Sequence, residues 1–163
     1  STKIYISYID YVCVMRYFKF DWFTLLKLPA VWIMGVRVSY LDTLSCKVRV
    51  RHRWINQNPY RSMFWAVQGM AAELSTGILL TQKVKETNRK ISMLVTHNKA
   101  SFTKKARGKI VFTCEQGNEI DEVLRKAIAS GEGQTLWMHS KGIDEMGDVV
   151  SSFSFEWSVK LKN

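Results

Sequence analysis

Residues 62–82 decide the fold, and they read SMFWAVQGMAAELSTGILLTQ. Glu73 is the one charged side chain in this stretch, and small residues take many of the remaining positions. A membrane-spanning helix needs about 20 mostly apolar residues, but the polar side chains here make the stretch too hydrophilic. Small side chains instead let neighbouring backbones approach closely. We therefore predict a helix that protein buries on most sides, where a lone carboxylate is costly and needs a reason.

Strand patterns on both sides of this helix predict a sheet that surrounds it. Between Cys46 and Trp54, apolar and basic side chains alternate with the period of a half-buried strand. Similar alternation recurs later, and a segment with helical spacing lies between Asn118, its predicted cap, and Gly131. Ser62 is the predicted cap of the central helix. The five predicted strands cover residues 46–54, 91–95, 110–114, 136–141 and 153–161.

This order of elements predicts an α+β fold, in which an antiparallel sheet of about five strands curls around one central helix. We assign residues 36–163 to this domain. Residues 1–35 form a predicted helical extension that packs on it, broken at Pro29 because proline disfavours helical geometry in the preceding residue. Residues 4–18 are predicted to pack on the domain as a helix or strand. The alternative is contact with a membrane surface through three tyrosines, Tyr5, Tyr8 and Tyr11.

The positive charge of the chain indicates an anionic partner. The 163 residues carry 24 Lys and Arg against 14 Asp and Glu, a net charge of +10. Nucleic acid, lipid headgroups and phosphorylated small molecules all fit this surplus. Basic residues on the first strand could follow a nucleic-acid backbone, but they lack interleaved aromatic residues for base stacking. We expect a solvent-facing strand and no nucleic-acid partner, and a nucleic-acid-binding module stays a third hypothesis. These basic residues are Lys47, Arg49, Arg51 and Arg53.

Cysteine and histidine usage is typical of a cytoplasmic protein without a metal site. Cys13, Cys46 and Cys114 lie far apart in apolar stretches, which suits reduced core residues rather than a disulfide framework. The three histidines are isolated in the sequence, so we expect no metal ligands among them. The first 16 residues carry no small-residue cleavage site, and we expect neither a secretory signal nor a transmembrane segment.

The residues from Asn58 to Glu73, together with the order of elements, resemble the hot-dog fold thioesterases, in particular the phenylacetyl-CoA thioesterase-like branch. The pattern of that branch is Asn, two residues, Gly, two residues, His-Gly-Gly, then an Asp or Glu nine positions after the His. Asn58 and Glu73 match its first and last positions without a gap. Arg61, Phe64 and Trp65 stand where the pattern has its first glycine, its histidine and the next glycine.

The resemblance covers about residues 36–162 and implies an acyl-CoA thioester hydrolase with its site at a dimer interface. Glu73 would act as base or nucleophile, and Asn58 of the other protomer would orient the carbonyl or the attacking water. The backbone amides of Phe64 and Trp65 would stabilise the oxyanion, because the helix dipole favours negative charge there. The implied pocket is completed by two methionines, Met63 and Met70.

The implied ligand is a coenzyme A thioester, with no further cofactor, and the implied assembly is a homodimer or a tetramer. Lys104, Lys105 and Arg107 would pair with the coenzyme A phosphates, unless these three residues form a solvated turn. Two site residues also have structural interpretations. Glu73 could accept hydrogen bonds that specify the dimer, and Asn58 could serve only the turn before a proline. The alternative function is a non-catalytic protein that binds acyl-CoA or lipid.

Overall fold

The computed structural model describes residues 19–162. Residues 19–27 form a helix, α1, and Pro29–Ile33 forms a second short helix, α2. The helical extension is therefore broken at Leu28, directly before the proline, as the sequence predicts. Cys13 and the segment predicted over residues 4–18 lie outside the described residues.

One antiparallel sheet follows the extension, and its strands lie in the order β1-β2-β4-β5-β6-β3. Its six strands are one more than the predicted five, because β1 had no clear alternation in the sequence. The register of β1 shifts between Val38 and Tyr40, so Val38 and Leu41 are both buried although they lie three positions apart. Such a bulge breaks the period of two. The strands are β1 Arg37–Leu41, β2 Cys46–Arg51, β3 Ile91–Phe102, β4 Lys109–Cys114, β5 Gln134–Ile143 and β6 Val149–Leu161.

The predicted central helix is α3, Trp65–Glu86, and it packs across the concave face of the sheet. Its small residues allow this close approach: Ser75 Oγ shares a 2.7 Å hydrogen bond with Ser140 Oγ, and a Cβ at Gly77 would lie 3.3 Å from the Trp157 ring. Ser62 does not cap the helix. Phe64 occupies the N-cap position, and Ser62 Oγ bonds with Asn58 instead. The curled sheet around one helix is the hot-dog fold.

A second helix, α4 at Gly117–Ser130, lies against α3 and β5. It begins after Gln116 rather than after the predicted cap Asn118. Its first residue, Gly117, lies against the Thr43–Leu44 backbone, where no side chain fits. Gly131 ends the helix in the left-handed conformation, with φ 71°, as predicted. Lys83 Nζ and Asp121 Oδ2, 2.7 Å apart, join the two helices.

The two sides of the sheet differ as the sequence predicts for β2. Cys46, Val48 and Val50 are buried, whereas the basic residues between them are exposed on the outer face. The predicted strand ends early, since β2 stops at Arg51 and Trp54–Asn56 forms a 3-10 turn. No helix within residues 19–162 has the length and apolar character needed to cross a membrane.

Candidate functional site

The loop before α3 is organised by two asparagines. Asn56 is buried, and its Nδ2 donates to the carbonyl oxygens of Met34 at 3.1 Å and Arg51 at 2.9 Å. Asn58 Oδ1 accepts the amide N–H groups of Tyr60 at 2.9 Å and Ser62 at 3.2 Å. The side chain of Asn58 therefore holds the turn at the start of the site. The sequence analysis missed Asn56, which anchors this loop to β2 and to the end of α2.

Arg61 follows in this turn with φ 57°, a conformation that favours glycine. The residue stands where the thioesterase pattern has its first glycine, and its backbone has a shape that glycine adopts freely. We expect Arg61→Gly to stabilise the protein by up to about 1 kcal/mol, because glycine adopts this left-handed backbone conformation without the steric cost of a Cβ. Chemical denaturation of both proteins measures the difference. A destabilised variant would show that contacts of the Arg61 side chain outweigh the backbone cost.

The N-terminus of α3 offers free backbone donors at its first two residues, Trp65 and Ala66, which have no acceptor within the described residues. Phe64 N–H donates to Asn56 O at 2.8 Å, so this amide is already used. Trp65 is the first helical residue, and the first amides of a helix have no intrahelical acceptor. No residue in the described range accepts from it. Of the two amides that the resemblance implies as oxyanion donors, the Trp65 amide is the one available.

A cavity of about 560 Å³ opens beside this helix end. Gln68, which the sequence analysis missed, lines the cavity and is buried. Its Nε2 donates to Met63 O at 3.2 Å and its Oε1 accepts from Ser151 Oγ at 2.8 Å, which fixes the cavity floor. Its signal in the sequence was a polar amide within an apolar part of the helix. Six predicted site residues line the cavity: Asn58, Met63, Phe64, Trp65, Lys104 and Lys105.

Glu73 lies in a different cavity, of about 240 Å³, together with Met70. The sequence analysis expected this carboxylate to be buried, but in the protomer it is exposed. The face of α3 that carries it is not covered by the sheet. Leu74 and Trp157 also line this cavity. Although the side chain reaches solvent, partial desolvation of its carboxyl raises the pKa of Glu73 above its usual 4.5. Its carboxylate makes no hydrogen bond or ion pair with any described residue.

One protomer does not bring Asn58 and Glu73 together. The first lines the cavity at the start of α3, and the second lies eight residues beyond Trp65, about 12 Å further along the helix axis. Each cavity holds part of the predicted site: one has the free Trp65 amide, and the other has the carboxylate. Neither cavity of the protomer holds both groups.

The predicted phosphate-binding residues are only partly free. Lys104 Nζ contacts Asp144 Oδ2 at 2.7 Å and Asp148 Oδ2 at 2.6 Å, and these carboxylates raise its pKa. Arg107 Nε donates to Arg61 O at 3.1 Å, which leaves its terminal nitrogens available. Lys105 is exposed and has no ion pair within the described part of the chain. Lys105 and Arg107 are therefore the better candidates for an anion.

Residues 19–162 hold no group of three metal-ligating side chains close enough to share an ion. Two of the predicted site groups suit acyl chemistry: the Glu73 carboxylate and the Trp65 amide. A general base with a raised pKa and an oxyanion donor are the requirements for hydrolysis of an activated acyl group.

Comparison with known proteins agrees with this architecture. A family model described as a domain of unknown function, DUF4442, matches residues 18–159. No curated protein matches the chain. A Pseudomonas aeruginosa protein of unknown function, described as a probable thioesterase, has a TM-score of 0.75 at 21% identity, over 85% of this chain and 91% of its own. A Chlorobaculum tepidum protein of unknown function has a TM-score of 0.76 at 16% identity, over 91% and 95%.

A Staphylococcus aureus thioesterase enzyme is also similar, with a TM-score of 0.64 and 10% identity over 81% of this chain and 98% of its own; this structure carries a glutamine-to-alanine substitution. A second structure of the same protein carries a glutamate-to-alanine substitution and has a TM-score of 0.63 at 9% identity, over 82% and 99%. Identities this low show a shared fold. Because the family model covers most of the sequence, the chain belongs to the DUF4442 family, and it shares the hot-dog fold of these structures.

Proposed function

We propose that this protein hydrolyses acyl-CoA thioesters as a homodimer, with each active site shared between two protomers. In each site Glu73 of one protomer acts as the general base, and the Trp65 amide of its partner stabilises the oxyanion. Asn58 shapes the turn beside that amide. The placement of the two cavities along the edge strand β3 carries this proposal.

Strand β3 is long, lies at one edge of the sheet and is mostly exposed. Leu94 is 65% exposed, and an open apolar edge of this kind invites pairing with another strand. Phe102, at the end of β3, lines the cavity with Trp65, whereas Met93, near its start, lines the cavity with Glu73. Antiparallel pairing of two β3 strands around a two-fold axis brings the start of one beside the end of the other. The carboxylate cavity then faces the partner's amide cavity.

The spacing of two substituted residues in a similar protein also supports this proposal. The two substituted positions in the Staphylococcus aureus thioesterase, a glutamine and a glutamate, are separated by the same number of residues as Asn58 and Glu73. Both pairs consist of a side-chain amide followed by a carboxylate. This chain therefore has a side-chain amide and a carboxylate at the spacing of the two positions substituted in that enzyme.

The proposed reaction uses only these groups and water. Glu73 takes a proton from water while the water oxygen bonds to the thioester carbonyl carbon, and the carbonyl oxygen gains negative charge beside the Trp65 amide. The carbon–sulfur bond then breaks. Glu73 returns the proton to the leaving thiolate, so the products are a free acid and coenzyme A. The raised pKa of Glu73 makes it a better base than an ordinary carboxylate.

A non-catalytic binder of acyl-CoA or lipid is the second candidate. Phe64 and Trp65, which replace a histidine and a glycine of the thioesterase pattern, are 45% and 57% exposed and lie edge to face. Their bulk at the cavity mouth favours holding an apolar chain over admitting water. Release of the coenzyme A thiol from a panel of acyl-CoA thioesters distinguishes the two. Turnover supports the hydrolase, binding without turnover supports the binder, and the absence of both contradicts the two proposals together.

We assign the coenzyme A phosphates to Lys105 and Arg107. The proposed location is the cytoplasm, where cysteines stay reduced. We expect Lys105→Ala to weaken binding of acyl-CoA severalfold at low salt, since an exposed charge pair contributes about 0–1 kcal/mol. The effect should shrink in high salt, where charges are screened within a few ångströms. Lys141→Ala, an exposed lysine on β5, is the matched control. Equal losses in both variants would indicate a general effect of net charge and remove this assignment.

A further inference from the structure

A continuous stripe of α3 leads away from Glu73 toward the C-terminus of the helix. Leu74, Ile78 and Thr81 follow at helical spacing, and Lys85 ends the stripe. The opposite wall is the N-terminal extension, where Phe23 of α1 faces the stripe. A groove roofed by the extension thus begins at the proposed catalytic carboxylate.

Two cavities divide this groove. The proximal chamber holds Glu73 and has a volume of about 240 Å³, and the distal chamber, of about 510 Å³, lies under the start of α1. Phe23, Ile78 and Thr81 line both chambers, so these three residues form the junction between them. The distal chamber exceeds the proximal one in volume, and its walls include Phe20 and Leu41.

The groove is apolar along its length and becomes polar at its far end. Gln82, Lys85 and Glu86 lie there, and Gln82 Oε1 is buried without a hydrogen-bond partner among the described residues. From Glu73 to Lys85 the helix rises about 18 Å. An extended hydrocarbon chain fits a groove of this shape. The polar residues at the far end of the groove limit how far the chain extends.

We propose that the acyl chain of the substrate runs along this groove, past Phe23, Ile78 and Thr81, into the distal chamber. This inference rests on the proposed function, because it starts the chain at a thioester beside Glu73. It makes the N-terminal extension part of the binding site and makes the junction the determinant of chain length. Short acyl groups fill the proximal chamber alone, and longer chains bury additional methylene groups beyond the junction.

Thr81 is the best position for a test, because it is half-exposed and makes no side-chain hydrogen bond with the described residues. Thr81→Phe adds a ring at the junction without removing a core contact. Ala129→Phe, on the exposed face of α4, is the matched control for adding an aromatic ring to a helix. Thr81→Leu is a smaller second variant in case the phenylalanine lowers the melting temperature.

The experiment compares dodecanoyl-CoA with butanoyl-CoA, both below their micelle concentrations. By calorimetry, wild type and Ala129→Phe should each bind dodecanoyl-CoA at least tenfold more tightly than butanoyl-CoA. Thr81→Phe should lose tenfold or more of its kcat/KM for dodecanoyl-CoA while retaining that for butanoyl-CoA, and Thr81→Leu should show a smaller loss of the same kind.

The outcomes separate this inference from the proposed function. Equal binding of both thioesters by wild type, or equal losses on both in Thr81→Phe, would overturn the groove assignment even if both are hydrolysed. Tighter dodecanoyl-CoA binding that Thr81→Phe abolishes, without turnover in any variant, would support the groove and contradict only the hydrolase.

Discussion

Glu73→Gln is expected to lower kcat for acyl-CoA hydrolysis by about 100- to 10,000-fold, the range that general-base catalysis contributes. Glutamine has nearly the same shape and keeps its hydrogen-bonding capacity, but it does not take a proton from water. The measurement is steady-state release of the coenzyme A thiol by purified wild type and variant. Glu132→Gln, in the exposed loop after α4, controls for the loss of one negative charge.

Stability distinguishes a catalytic Glu73 from a structural one. Burial raises the pKa of Glu73 in the folded protein, so its contribution to stability is present at low pH and is lost as pH rises through that pKa. Glutamine is uncharged, so it avoids the cost of desolvating a negative charge at neutral pH. The variant should therefore melt at the same temperature as wild type or higher, and wild-type activity should fall as pH drops through the raised pKa. A variant that unfolds or dissociates at neutral pH would make Glu73 a structural residue.

Trp65→Pro should lower kcat by about 100- to 1,000-fold relative to Trp65→Ala, the usual cost of removing one oxyanion donor. Proline removes the amide N–H and is well tolerated at the first helical position. Phe64, with φ −61° and ψ 136°, already has the extended conformation that a following proline requires. Both variants remove the indole, so their difference measures the amide alone.

Equal activities of the two variants would exclude the Trp65 amide from catalysis. A large loss in Trp65→Ala as well would assign the effect to the side chain that lines the cavity. Circular dichroism and melting temperature check that α3 still forms in each variant.

Much of the fold follows from sequence patterns whose physical cause is local. Alternation in β2 reflects one buried and one exposed face, the break before Pro29 reflects backbone sterics, and Gly131 ends α4 because it adopts a left-handed conformation. The strand Arg37–Leu41 was missed because its bulge interrupts the alternation. The start of α3 was misplaced because Ser62, a good capping residue, bonds within the preceding turn.

The candidate site was harder to predict because it depends on contacts between distant segments. The spacing from Asn58 to Glu73 was readable, but the exposure of Glu73 depends on which face of α3 the sheet leaves open. The groove depends on where α1 packs, and that packing places Phe23 against Ile78 and Thr81. Sequence spacing contains no information on either arrangement.

Complementation between two inactive variants tests the shared active site most directly. Glu73→Gln retains the Trp65 amide, and Trp65→Pro retains the Glu73 carboxylate, so a mixed dimer has one site with both groups and one with neither. Equal amounts of the two variants, unfolded together and refolded, should regain about a quarter of wild-type activity, because half of the dimers are mixed and each has one intact site. Activity that stays at the level of the separate variants, although mixed dimers have formed, would contradict a site shared between protomers.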